Sequence, residues 1–186
     1  NTIEEISNNF LKLSENCNDD IKLASEMMVK SIKNSGKIIF CGNGGSAADS
    51  QHLSAELIGR YRKNRNPIAA IALTTDTSII TAVANDFSFN EIFSRQVEVL
   101  GKSEDILYAI STSGKSKNVM NAIEVANTKN IKVIGITGES GGDMNDICDL
   151  IIKVPAKRPD RIQELHIAVG QILCEIIENA IYPDNG

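Results

Sequence analysis

The sequence predicts an α/β protein, a doubly wound three-layer sandwich on a five-stranded parallel sheet with an N-terminal helical lead-in. Two observations support this class. Five short apolar runs of strand length recur along the chain, each followed by a polar or glycine-bearing turn and then a helical pattern. The runs are apolar almost throughout, which is typical of parallel strands covered by helices on both faces. They span residues 37–41, 69–73, 106–110, 132–136 and 150–154.

The helical lead-in, about residues 1–35, consists of two amphipathic stretches at 2–15 and 19–34. An α/β core of about 36–186 follows, and it ends in an amphipathic helix over 161–181 whose apolar stripe is wide enough to cover the sheet and another subunit. With 186 residues, 42% of them hydrophobic, and no repeat or linker, the chain 1–186 is expected to form a single domain.

Composition argues against several kinds of partner. The formal net charge of -5 disfavours a nucleic-acid partner held by general electrostatics. The one basic run follows the first core helix and is interpreted as a solvated loop rather than a binding patch: Arg60, Arg62, Lys63 and Arg65. No stretch approaches membrane-spanning length, and the first residues lack signal-peptide features, so no membrane partner is expected. Four separated cysteines without a CxxC pair indicate reduced thiols and a cytoplasmic location.

The turn after the first strand, residues 41–47, is the first candidate ligand loop. Its glycines allow a ligand to approach the backbone, and the helix that follows offers free N–H groups to an anion. Gly42, Gly44 and Ala47 also satisfy the dinucleotide pattern GxGxxA. A dinucleotide site also requires an acidic residue about 20 positions further on, at the end of the second strand. Here the second strand ends later than that, at Leu73. No nucleotide cofactor is therefore predicted.

The turn after the third strand, residues 111–116, is the second candidate loop. Its sequence STSGKS invites comparison with a nucleotide P-loop, but the first glycine of that motif would fall at Ala109. Hydroxyl groups and backbone N–H groups at a helix start can instead surround a phosphate monoester. An ordinary Ser/Thr helix cap is the alternative interpretation.

Four motifs stand out together: CGNGGSAADSQH at 41–52, AND at 84–86, STSGKS at 111–116 and RIQELH at 161–166. With these motifs the chain resembles the phosphoheptose isomerase family, whose members have the sugar isomerase (SIS) fold, a flavodoxin-like sandwich. The resemblance covers nearly the whole chain. It implies conversion of sedoheptulose 7-phosphate to glycero-manno-heptose 7-phosphate, the first step toward the heptose of bacterial surface polysaccharide such as lipopolysaccharide or capsule, by a cytoplasmic homotetramer.

The resemblance also implies roles for individual residues. The phosphate would be held by Ser111, Thr112, Ser113 and Ser116. The sugar would contact Asn43, Gly44, Gly45, Glu56, Asn85, Asp86 and Gln163. One zinc ion per subunit would be bound by His52, Glu56, Gln163 and the residue at position 171.

His52 and Glu56 support an isomerase independently of the resemblance. They are four residues apart on the helix after the glycine loop, so their side chains share one face and can point at one ligand or metal. Aldose–ketose isomerisation needs a base that moves a proton between C1 and C2. Glu56, beside a sugar held at its phosphate, is the predicted base, whereas an isolated glutamate would be an ordinary exposed helix residue.

One position departs from the family pattern. The last helix of the family carries a second histidine, the expected general acid and zinc ligand, where this chain has Gln171. Glutamine does not exchange protons at neutral pH, although its oxygen can contact a metal or a hydroxyl. His166 is expected on another face of the helix, in a packing or supporting role.

Three explanations of Gln171 stay open at this stage: an active isomerase with another acid, an engineered variant, or a non-catalytic relative. The alternative to an enzyme is a phosphosugar-binding protein or a regulator that binds the bacterial replication initiator.

Overall fold

The computed structural model describes residues 1–183 and contains the predicted five-stranded parallel sheet. Its strands lie in the order β2-β1-β3-β4-β5, which is the doubly wound, flavodoxin-like order. They are β1 Ile38–Gly42, β2 Ala70–Ala72, β3 Ile106–Ile110, β4 Lys132–Thr137 and β5 Leu150–Lys153. The strand bounds agree closely with the apolar runs, and the predicted fold class is confirmed.

Seven α-helices accompany the strands in the part of the chain that the structure describes. They are α1 Thr2–Asn16, α2 Asn18–Lys33, α3 Gly45–Ile58, α4 Thr77–Asp86, α5 Ser94–Leu100, α6 Lys117–Thr128 and α7 Pro159–Ile181. Single 3₁₀ turns occur at Phe89–Glu91 and Gly142–Asp146. α1 begins with a capping box between Asn1 and Glu4, and α7 begins two residues before the predicted start because a proline fits the first helical turn. Within residues 1–183, no helix is both long and apolar enough to cross a membrane.

The helices form a layer on each face of the sheet. α2, α3 and α7 cover one face, with α1 packed on α2 and α7, and α6 with α5 covers the other. β1 and β3, at the centre, are buried at every residue because both of their faces are covered. Phe40 and Tyr108 point to the α3/α7 layer with ring centroids 5.5 Å apart, whereas Leu107 points to the opposite layer.

The strand order brings the two candidate loops together. The chain turns to one side after β1 and to the other after β3, and Gly42 at the end of β1 is paired with Ile110 at the end of β3. The turns that follow these residues are therefore neighbours at the carboxyl edge of the sheet. In open parallel sheets this switch point is where ligands bind.

The basic run after α3 differs from the solvated loop that the sequence predicted. The Arg65 side chain is buried, and its Nε lies 2.8 Å from Oε1 of Glu178 on α7. The Arg65 guanidinium also donates to the carbonyl oxygens of Glu56 and Leu57 in the last turn of α3. The Glu178 carboxylate accepts three further bonds of 3.1, 2.8 and 2.9 Å, from the backbone amides of Tyr61, Arg62 and Lys63. These contacts thus anchor the loop of residues 61–65 to α7.

Candidate active site

The glycine loop joins β1 to α3 at the switch point. Gly44 has φ of 56°, in the left-handed region that favours glycine, and no side chain caps the start of α3. A Cβ at Gly45 would come within 2.7 Å of the amide group of Gln163, so the Gln163 side chain lies directly over this residue. The loop is therefore in contact with α7 and leaves the first N–H groups of α3 without a side-chain partner.

The hydroxyl loop joins β3 to α6. Ser111 Oγ lies 3.0 Å from Ser116 Oγ and accepts from the backbone N–H of Gly114 at 3.1 Å. Ser116 is the N-cap of α6, but its side chain makes no capping bond, contrary to the ordinary helix-cap interpretation. The hydroxyl groups bond one another and the loop backbone instead. They form a polar cup in front of a helix start, an arrangement suited to an anion.

An open cavity adjoins the hydroxyl loop. Thr112 and Ser113 line it, together with Lys115 from the loop and Lys157 from the segment before α7. The Lys157 ammonium is 3.3 Å from the Glu139 carboxylate, which also lines the cavity. The phosphate side of the site thus combines hydroxyl groups with two ammonium groups and one carboxylate, and this net positive charge suits a phosphate monoester better than a neutral ligand.

A pair of asparagines connects the two loops. Asn43 Nδ2 donates to Asn118 Oδ1 and Asn118 Nδ2 donates to Asn43 Oδ1, both at 2.8 Å. Asn118, the second residue of α6, is only 2% exposed. Sequence reasoning missed it because an asparagine in the polar first turn of a helix normally faces solvent. Only its burial against the neighbouring loop reveals its role.

His52 and Glu56 face each other on α3, as their spacing predicted. His52 Nε2 lies 3.0 Å from Glu56 Oε1, and the Glu56 side chain is half-buried. Asp49, one turn earlier, was not predicted as a site residue. One of its carboxylate oxygens is buried without a hydrogen-bond partner in the described structure, and burial raises its pKa to about 6 despite the opposing charge of His52.

α7 packs along α3 and supplies the remaining predicted residues. A Cβ atom added to Gly170 would lie 2.4 Å from the Leu53 side chain, so α7 also contacts α3 at Gly170. The next residue, Gln171, is half-buried. His166 is buried, and burial lowers its pKa to about 4 although the backbone of Thr137 opposes the shift. It is therefore neutral at pH 7.

The predicted zinc ligands are only partly assembled. Among the described residues, no three His, Cys, Asp or Glu side chains cluster as a metal site. His52 and Glu56 offer a nitrogen and an oxygen side by side, which suits zinc. Gln163 instead lies at Gly45, about 10 Å along the α3 axis from His52 at 1.5 Å per residue. His52 and Glu56 thus suit a common ion in the single chain, and Gln163 lies apart from them.

Asn85 and Asp86 are the last two residues of α4. Both are exposed, and Asn85 Nδ2 donates to Asp86 Oδ1 at 2.8 Å. None of the residues of α4 is buried, and Phe87 and Phe89 just after it are more than half exposed. The described hydrogen bond thus joins these two residues to each other rather than to either loop.

The fold and the paired loops define a sugar isomerase domain of the phosphosugar-binding kind, and the SIS domain family matches residues 3–138. A phosphoheptose isomerase of Rhodospirillum rubrum is 52% identical over 92% of this chain and 91% of its own length, and one of Akkermansia muciniphila is 46% identical over 98% and 96%. The chain belongs to the phosphoheptose isomerase family.

Solved structures agree with this assignment. Phosphoheptose isomerase from Neisseria gonorrhoeae superposes with a TM-score of 0.91 at 40% identity, covering 96% of this chain and 95% of its own. The enzyme from Francisella tularensis gives 0.93 at 37% identity with the same coverage. The Vibrio vulnificus NanR protein complexed with ManNAc-6P, at 17% identity and a TM-score of 0.68 over 98% of this chain and 62% of its own, shares the fold.

Proposed function

We propose that this chain is the aldose–ketose isomerase that converts D-sedoheptulose 7-phosphate to D-glycero-D-manno-heptose 7-phosphate, a precursor of the heptose in bacterial surface polysaccharide. One observation carries the proposal. A hydroxyl cup suited to phosphate lies beside the glycine loop, and the helix that starts at this loop carries the His52–Glu56 pair. Relatives named phosphoheptose isomerase at about half identity over nearly the whole chain support the substrate.

The geometry assigns a sequence of steps. The hydroxyl cup and the start of α6 bind the phosphate, and the sugar extends past Asn43 toward Glu56. The Glu56 carboxylate takes the proton from C1 of the ketose, leaving an enediolate, and returns it to C2 to give the aldose. A second proton passes from the C1 oxygen to the C2 oxygen. Gln171 has no proton to give at neutral pH, so this transfer uses water or another group.

Zinc belongs to the same proposal. His52 and Glu56 would supply two ligands, and the amide oxygens of Gln163 and Gln171 would complete the set, Gln163 only after moving toward the pair. Bound there, the ion would polarise the oxygens of the reacting carbons. No step above depends on it.

Gln171 favours a second candidate function, a protein that binds sugar phosphates without converting them, as a sensor or as a regulator of the replication initiator. Such a protein would keep both loops and lack a proton donor on α7. The retained His52–Glu56 pair favours the enzyme.

Turnover of sedoheptulose 7-phosphate by this chain, with and without added zinc, tests the proposal beside a Gln171→His variant. We expect turnover by the chain itself and an increase of about tenfold or more in the variant, because general acid catalysis contributes at least about a hundredfold. Turnover only in the variant would identify an isomerase scaffold without its acid. Binding of the sugar phosphate with no turnover by either protein would favour the second candidate.

We also propose that the working form is a cytoplasmic homotetramer. The exposed phenylalanines after α4, and the exposure of Asn85 and Asp86 beside them, support a site completed by a neighbouring subunit. The four cysteines are free, which suits a reducing compartment. Light scattering should give about four times the chain mass of 20.2 kDa. A monomer that turns over the substrate would contradict this arrangement.

A further inference from the structure

The Asn43–Asn118 pair carries an inference beyond the proposed function, on which it rests. We propose that Asn118 is a positioning residue that acts through Asn43: it fixes the orientation of the Asn43 amide toward the sugar and holds the glycine loop at a set distance from the phosphate. Asn118 itself lies buried behind the site and does not touch substrate.

The first argument concerns the Asn43 amide. A free asparagine can rotate by half a turn and exchange its oxygen and nitrogen, so its donor and acceptor have no fixed direction. Here each amide donates to and accepts from the other at 2.8 Å, so the Asn43 amide cannot turn alone without losing both bonds. It keeps one N–H and one oxygen lone pair for a ligand, and Asn118 holds the amide group in place.

The second argument concerns the distance between the loops. Asn118 is in the first turn of α6, directly behind the hydroxyl cup, whereas Asn43 is at the end of β1 in the glycine loop. The loops belong to different crossovers, and the side-chain bonds described between them are these two amide contacts. A sugar phosphate is held at its phosphate by one loop and reacts near the other, so this separation decides where C1 lies relative to Glu56. A shift of about 1 Å at a reacting centre can cost about a hundredfold in rate.

A double-mutant cycle tests the inference, with Asn43→Ala, Asn118→Ala and the double variant compared by kcat and KM for sedoheptulose 7-phosphate. We expect Asn118→Ala to lower kcat/KM by about ten- to a hundredfold, and the double variant to be no worse than the more impaired single variant, because Asn118 acts only through Asn43. The constant for inhibition by inorganic phosphate should change less than about twofold, since the hydroxyl cup is intact.

Asn127→Ala is the matched control. Asn127 is also on α6 and donates one bond of 2.9 Å to the carbonyl of Ile147, far along the helix from the loops, and its loss should leave kcat/KM unchanged. If Asn118→Ala does not fold, Asn118→Asp replaces it, since aspartate keeps the shape and the acceptor but loses the donor to Asn43.

Three results would overturn the inference: unchanged kcat/KM in Asn118→Ala, fully additive losses in the double variant, or an equal loss of inorganic phosphate affinity. Failure of the proposed function is distinguishable. If the unaltered chain binds the sugar phosphate without converting it, the isomerase assignment fails, and the same cycle is measured on calorimetric binding constants, where non-additivity still supports Asn118 and additivity still rejects it.

Discussion

Replacing Glu56 with glutamine is expected to lower kcat for the heptulose phosphate by about a hundred- to ten-thousandfold, the usual contribution of a general base. Glutamine has almost the same shape and can keep a hydrogen bond to His52, which lies 3.0 Å away in the native protein. It cannot accept the proton from C1. The hydroxyl cup is on a different element, so binding of the sugar phosphate should change little. Steady-state kinetics and calorimetry measure the two effects separately.

Glu175→Gln is the control for this experiment. Glu175 is also a helical glutamate with a charged partner, Arg62 at 2.6 Å, but it lies on the outer part of α7. The substitution should leave kcat within about twofold of the native value, as expected for a change distant from the reacting atoms. Unchanged turnover in Glu56→Gln would remove Glu56 from the mechanism. An equal loss in both variants would point to a general effect of charge rather than to a base.

The sequence predicted the sheet well and the outer helices less well. The five strands stand out because central parallel strands are buried on both faces and therefore apolar throughout. α4 and α5 were predicted only as a helical pattern without bounds after the second strand. α5 has seven residues, too few to establish a helical period of its own.

The candidate site divides in a similar way. The two loops and the His52–Glu56 pair were predictable because each is contiguous in sequence and follows a recognisable strand. Asn118 and Asp49 were not, since Asn118 depends on a partner distant in sequence and Asp49 on the burial of its carboxylate. The contact of Gln163 with Gly45 depends on how α7 packs against α3, which no local pattern encodes. Arg65 likewise reads as a surface residue until its partner Glu178, 113 positions away, is known.

Glu178→Ala is expected to give the largest loss of stability, about 3 to 5 kcal/mol in the free energy of unfolding, as for other buried ion pairs that lose one partner. The side chains of Arg65 and Glu178 are 1% and 2% exposed, so Arg65 would be left as a buried charge without its carboxylate. The backbone amides of residues 61–63 would also lose their acceptor. Urea unfolding measures the change, with Glu175→Gln as the exposed counterpart, for which at most about 1 kcal/mol is expected.

The same ion pair predicts a pH dependence. Burial alone would raise the pKa of Glu178, but the backbone donors of Arg62 and Lys63 and the Arg65 side chain outweigh burial and hold the pKa below its ordinary value of 4.5. A carboxyl group with a lowered pKa in the folded state contributes stability above its unfolded pKa and loses it as the pH falls through the folded one. The stability difference between the native protein and Glu178→Ala should therefore shrink below pH 4.5. If the stability difference stayed constant down to acid unfolding, the ionised Glu178 carboxylate would not be the group that stabilises the contact between the loop of residues 61–65 and α7.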